Sequence, residues 1–200
     1  MRLHSLAPAA LILAASTLAA HATPVTINFN GLTGNDNPFT TYSESGFTVR
    51  AQSGSLYIAS GDGSLGDPQP DVFADPGGTL AVTDGGGLFN FDSLDLGIFN
   101  SYGGAADYTI TGFLDGSSVY TQMGSISGSG SFHTLSGTDQ STSITSFTIA
   151  LSGNPDGVNI DNIDVNTVPT GVTPEPSGLA LFGTGIIGLA GMARRKFLHS

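Results

Sequence analysis

The chain has 200 residues, with 16 Asp and Glu against 5 Lys and Arg, and with neither Cys nor Trp. Four of the five cations sit near the ends (Arg2; Arg194, Arg195 and Lys196), which leaves sixteen carboxylates and Arg50 between them, a net charge of −15 for the middle stretch. Such a body cannot bind nucleic acid by neutralising phosphates. It has no Lys for a Walker-type cradle or a Schiff base, and no thiol for disulfides, thiolate metal sites or Cys nucleophiles. A hydrophobic content of 39% separates it from disordered acidic chains.

Residues 1–22 begin with Arg2, continue through an apolar run from Leu6 to Ala20, and end in Ala20-His21-Ala22 ahead of Thr23. This is the three-part layout of a secretory signal peptide, with cleavage expected between Ala22 and Thr23. The run is short, rich in Ala and interrupted by Pro8, which favours a cleaved leader over a membrane helix.

From residue 23 to 166 the pattern has period two. Val25-Thr26-Ile27-Asn28-Phe29, Phe47-Thr48-Val49, Leu80-Ala81-Val82, Phe89-Asn90-Phe91 and Phe147-Thr148-Ile149 alternate between apolar and polar side chains, as half-buried strands do. Asp84-Gly85-Gly86-Gly87, Asp115-Gly116 and Asp156-Gly157 separate such runs with residues that accept turn geometry. No apolar i, i+3, i+4, i+7 pattern is long enough for a helix. The expected fold is all-β: eight to eleven short strands forming an antiparallel, jelly-roll-like β-sandwich. Ile27-Asn28-Phe29-Asn30-Gly31-Leu32, Phe91-Asp92-Ser93-Leu94-Asp95-Leu96 and Ile160-Asp161-Asn162-Ile163-Asp164-Val165 resemble strand endings of exported galactose-binding-like jelly-roll domains. In that group the first strand often carries an acid where this chain has Asn30.

Three chemistries can be sought in the body. Asn154, Asp156, Asn159 and Asp161 follow the order N-x-D-G-x-N-x-D and are candidate ligands of a structural Ca²⁺, which takes six to eight oxygens. The spacing is not that of an EF-hand, and it equally describes an exposed N-P-D-G hairpin followed by a strand. Asp62, Asp67, Asp71 and Asp75 form a second acidic group in a loop rich in Gly and Pro, where a solvated surface loop is the simpler account. A glycan site is not located by the sequence: Tyr42 and Tyr102, in expected loops, are better stacking platforms than Tyr108 and Tyr120, which lie on expected strands. Catalysis has little to work with. His133 is the only His of the body, no G-x-S-x-G elbow occurs, and Glu44, expected in a loop, is the only Glu of the folded domain, so no catalytic residues are assigned.

Residues 167–173 form a polar linker, and the last segment, 174–200, is of a different kind. Pro174-Glu175-Pro176 precedes the uncharged stretch 178–193 and then Arg194-Arg195-Lys196. As a helix that stretch would span about 24 Å, slightly short of a bilayer core of about 30 Å. The basic cluster behind it places the C-terminus in the cytoplasm by the positive-inside rule, which agrees with a signal peptide at the other end. The combination resembles the PEP-CTERM protein-sorting domain. The resemblance implies bacterial export, transient retention in the cytoplasmic membrane, processing near Pro174-Glu175-Pro176 by an exosortase-type enzyme, and delivery to the cell surface or an exopolysaccharide matrix. The chain is therefore expected to be an exported, non-enzymatic surface or matrix protein with a structural or adhesive role, taking exopolysaccharide or a cell-surface glycan. A secreted carbohydrate-active enzyme on the same sandwich is the alternative.

Overall fold

Alternating strands leave one apolar face each, and among the described residues thirteen strands form two antiparallel sheets that bury most of those faces against one another. The computed structural model describes residues 22–60, 65, 71–75, 77–99, 104–128, 130–153, 157–169, 183 and 185–187. In chain order the strands are β1 (Thr23–Ile27), β2 (Asn37–Pro38), β3 (Thr41–Glu44), β4 (Phe47–Ser53), β5 (Leu56–Ala59), β6 (Asp71–Ala74), β7 (Thr79–Thr83), β8 (Phe89–Ile98), β9 (Ala105–Leu114), β10 (Ser117–Ser127), β11 (Phe132–Ser136), β12 (Ser146–Gly153) and β13 (Val158–Thr167). Sheet A runs β11-β8-β13-β6-β5-β2, with β1 also paired to β13, and sheet B runs β10-β9-β12-β7-β4-β3. Within sheet A only β5 and β6 are neighbours that also follow one another in sequence, so this sheet is held mainly by contacts distant along the chain.

The all-β sandwich expected from the sequence is thus present, with more and shorter strands than the eight to eleven counted from apolar runs. The two-residue β2 and the short β3 account for some of the excess. Glu44 is a correction of the same origin: it ends β3 and does not lie in a loop. Ser45 and Gly46 take φ of 52° and 91°, and Glu44 pairs with Phe47, which makes a two-residue hairpin turn. Ser is a weaker signal for such a turn than the Asp of Asp115-Gly116, whose φ of 50° and 82° join β9 to β10 in the same way.

The core lies between the sheets. Sheet A contributes Phe89, Phe91, Leu94, Leu96, Ile160 and Ile163, and sheet B contributes Phe47, Val49, Leu80, Val82, Phe147 and Ile149, all buried. Phe89 meets Phe47 edge-on at 5.1 Å between ring centroids, and Phe91 lies 5.0 Å from Phe147 at a tilt of 49°. Such pairs add about 0.5–1.5 kcal/mol beyond the area they bury.

Between β9 and β10 two tyrosines take the place of side chains that glycine lacks. Tyr120 lies over its cross-strand partner Gly112, and Tyr108 over Gly124. A Cβ at either glycine would collide with the opposing ring. Tyr108 and Tyr120 therefore pack on the inner face of their sheet, as expected. Burial, and to a lesser degree the Asp139 charge, push the Tyr120 hydroxyl well above the ordinary range, and that hydroxyl is buried with no hydrogen-bond partner among the described residues.

Gln122 of β10, 8% exposed, closes the seam between the edges of the two sheets. Its Nε2 donates to the Ser136 carbonyl at 3.0 Å, and its Oε1 accepts from the Thr138 backbone N–H at 2.9 Å.

Beyond residue 169 the structure describes only Gly183 and residues 185–187, which are helical. Among the described residues no helix is long and apolar enough to cross a membrane. Residues 1–21 of the expected leader (1–22), the Pro174-Glu175-Pro176 motif and the basic cluster lie outside the described residues.

Candidate functional site

Because successive side chains on a strand point to opposite faces, the residues left outside the core form two outer surfaces, and their chemistries differ. On sheet B the pairing register aligns them in rows across six strands. One row reads Thr41, Arg50, Ala81, Thr148, Thr111, Thr121. The next reads Ser43, Thr48, Thr83, Ser146, Phe113, Ser118. Neither row contains an acid, and Arg50 is the single cation of the body.

Within these rows lies a groove of about 210 Å³. Ala81, 6% exposed, lies low between Arg50 and Thr148, so its short side chain forms a floor. Arg50, Gln52, Thr83, Ser146 and Thr148 supply polar groups around it, and the half-buried Phe113 supplies an apolar wall. Among the described residues none of those five polar side chains is engaged in a hydrogen bond or ion pair with another side chain or backbone group. The groove thus presents a guanidinium, an amide and three hydroxyls beside one aromatic ring. That donor set suits a ligand with many hydroxyls and one apolar flank.

Asp84 follows Thr83 in the chain, but its carboxylate lies in the turn after β7, beside Gly87 and Gly46, and does not line the groove. Burial raises the Asp84 carboxyl above its ordinary range. Arg50 lies two residues further along the strand direction, in the adjacent parallel row.

On sheet A two acids, Asp164 and Asp95, are already engaged. Asp164 accepts from the Thr26 hydroxyl of β1 at 2.5 Å and from the Ser93 hydroxyl of β8 at 2.9 Å. Asp95 accepts from the Thr134 hydroxyl of β11 at 2.6 Å and from the Asn162 amide of β13 at 3.0 Å. The register slips between Asp161 and Val165, where Asn162 takes a φ of 43°. This bulge brings Asn162 to Asp95 and leaves Ile163 facing the core. Each carboxylate thereby ties two neighbouring strands together.

Against this geometry the comparisons fall in two groups. Residues 172–196 match the family model of the PEP-CTERM protein-sorting motif. The chain carries a PEP-CTERM sorting signal. That motif implies export and sorting to the cell surface, and Pro174, Glu175, Pro176, Arg194, Arg195 and Lys196 all fall inside the match. No curated protein matches the chain in sequence. Among solved structures, a DUF4465 family protein from Bacteroides caccae is 10% identical with a TM-score of 0.51, covering 73% of this chain and 100% of its own. The family 32 carbohydrate-binding module of Clostridium perfringens NanJ, solved with galactose, is 14% identical with a TM-score of 0.45, covering 64% of this chain and 98% of its own. The first of these likenesses agrees with a sandwich fold ahead of the PEP-CTERM tail.

Among the described residues, those singled out from the sequence do not gather at one site. Of the calcium set, Asn159 and Asp161 are buried on the outward-pointing register of β13 at 0% and 1% exposure, whereas Asn154 and Asp156 lie outside the described residues. Leu65, between β5 and β6, lies where a Cβ at Gly97 would be, so chain covers this region of sheet A. Val72 pairs with Ile160, which brings the strand carrying Asp71 beside the one carrying Asp161. Among the described residues no group of three or more His, Asp or Glu side chains is arranged to hold a metal ion.

Tyr42 is no stacking platform. It packs on Phe29 at 5.6 Å, and its hydroxyl accepts from the Gly31 N–H at 3.1 Å. Burial, followed by neighbouring Glu44, raises its pKa above the ordinary value, with the Gly31 bond opposing them. Glu44 accepts from the Asn28 backbone N–H at 3.0 Å. His133 is exposed at the sheet edge, but the register pairs it with Leu96 and puts it on the same side of β11 as Leu135, so the outward alternation expected for it is not what exposes it. Tyr102 lies outside the described residues. The groove residues carry no local signal except one: Arg50 is a lone cation in an acidic body.

Proposed function

We propose that this chain is an exported, non-enzymatic protein that its PEP-CTERM tail delivers to the cell surface or extracellular matrix, where the sandwich, jelly-roll-like in its layout, binds a polysaccharide strand along the outer face of sheet B. The observation that carries this reading is the groove beside Ala81: hydroxyl, amide and guanidinium groups with free hydrogen-bonding capacity, next to the Phe113 ring. Sugars are recognised by that pairing of polar groups with an apolar wall, because each ring has a hydroxyl periphery and apolar C–H faces.

On delivery, the reading includes a cleaved leader ending at Ala22, with Thr23 opening the exported protein. It also includes a membrane-held stretch at 178–193, the basic tail 194–196 on the cytoplasmic side, and an exosortase-type enzyme acting near Pro174-Glu175-Pro176. A structural Ca²⁺ at Asn154, Asp156, Asn159 and Asp161 belongs to the same proposal. Asn159 and Asp161 offer the oxygen donors a hard cation takes, and a thermal midpoint indifferent to Ca²⁺ and EDTA would remove the metal.

The test is a glycan array probed with the exported protein, wild type and Ala81→Phe, alongside hydrolysis assays on the same polymers. Binding that disappears when the phenyl group fills the groove supports the reading. Release of reducing ends by the wild type would instead establish the carbohydrate-active enzyme.

A further inference from the structure

We infer that the groove on sheet B is specific for a polysaccharide bearing carboxylated sugars, with Arg50 pairing to the sugar carboxylate. The inference rests on the groove being a glycan site and adds the charge of the glycan. Arg50 is the one cation among sixteen carboxylates between the two chain ends, yet it makes no ion pair among the described residues. The two rows that cross its face hold no Asp or Glu, and Asp164 and Asp95 of sheet A are held by hydroxyls and an amide of their own sheet. The carboxylate that would complete Arg50 is therefore not supplied by its own face.

The chemistry narrows the anion. A guanidinium offers a planar fork that matches a carboxylate with two parallel hydrogen bonds. A single Arg among neutral hydroxyls suits one monovalent charge on a sugar that is otherwise hydroxylated. Thr148, Thr83, Ser146 and Gln52 answer the hydroxyls, and Phe113 faces a ring. With its charge on Arg50, a sugar acid has its hydroxyls toward Thr83 and Ser146, which line the same groove. The net charge of the body does not forbid this. Asp95 and Asp164 lie on the far side of two packed sheets about 10 Å apart, whereas a carboxylate on Arg50 would be in direct contact.

The experiment titrates the exported protein with polygalacturonate and with the same polymer after reduction of its carboxyl groups. The expected result is binding of the acid form and a loss of about 10- to 100-fold for the reduced form, the range of one charge-assisted pair. Arg50→Gln should remove that difference while leaving the melting temperature unchanged, and Arg50→Lys should restore some of it. Raising the salt should weaken polygalacturonate binding by the wild type more than by Arg50→Gln. Equal binding of both polymers, or an Arg50→Gln protein that still prefers the acid form, overturns the sugar-acid inference and leaves the groove intact as a glycan site. Binding of both polymers unaltered in Ala81→Phe and in the less buried Thr148→Tyr overturns the groove itself, and the sugar-acid inference with it.

Discussion

The two outer faces of this sandwich are built from the same period-two pattern, yet their polar groups do opposite things. On sheet A, Asp164 and Asp95 look sideways and each holds a strand on either side. On sheet B, Arg50, Thr83, Ser146 and Thr148 are left open around a small residue that makes room. Acidity alone would direct attention to sheet A, whose strands carry five Asp against one Asp and one Glu on those of sheet B. A carboxylate that ties two strands together cannot turn to a ligand without loosening them, whereas an unengaged hydroxyl can bind at no structural loss. Availability distinguishes the faces better than charge does.

Substitutions can break this contrast from either side. The largest effect is expected at Asp164→Ala, which removes two charge-assisted bonds between β1, β13 and β8. Allowing for the exposure of Thr26, the loss is about 2–3 kcal/mol, or about 4–12 °C in melting temperature for a chain of this size, with glycan binding unchanged. Gln122→Ala should follow at about 2 kcal/mol, because the Ser136 carbonyl and the Thr138 N–H at the seam both lose their partner. Thr148→Val is the mirror of the Asp164 change. It should move stability by less than about 0.5 kcal/mol while weakening glycan binding several-fold, measured by titration. Smaller still is Tyr120→Phe, which deletes a buried hydroxyl that has no partner while keeping the ring over Gly112. Its melting temperature should equal or slightly exceed that of the wild type.

Acid titration adds a last, small test outside either face. Asp139 accepts from the Thr142 and Ser141 hydroxyls and from the Thr142 N–H, and these bonds lower its carboxyl pKa. A lowered folded value means that its contribution is present at neutral pH and is lost as the pH falls below about 3.9 toward the folded value. Asp84, raised by burial, acts in the opposite sense: its contribution is full when it is protonated and fades as the pH rises through its folded value. Asp139→Asn should therefore flatten the acid limb of the stability curve, and Asp84→Asn should not.

What the sequence made legible was whatever is written locally. The strands at Phe89-Asn90-Phe91 and Phe147-Thr148-Ile149 show their alternation over a few residues, and the Asp115-Gly116 turn shows its positive φ through its composition. The tail is linear, so its three segments could be recognised without a fold. The groove is of another kind. Arg50, Ala81, Thr148 and Phe113 are ordinary residues on four different strands, and only long-range pairing assembles them. Tyr42 misled for a related reason. The Ser45-Gly46 turn converts its surroundings from loop to hairpin, and alternation then points the ring at Phe29. Arg50 was the one legible sign, because a lone cation in so acidic a body calls for an explanation in space.

The chain enters β1 at Thr23 beside the point where it leaves β13 at Thr167, and the two strands run antiparallel. β13 is also clasped by β8 along its other side and by β6 over its first half. A tug along the polypeptide beyond Thr167 therefore pulls lengthwise on an interior strand. The hydrogen bonds on both flanks resist together, in shear, whereas at a peeling edge they would break in succession. A protein gripped by a polymer on one sheet and tethered through the other would carry mechanical load along its best-fastened strand.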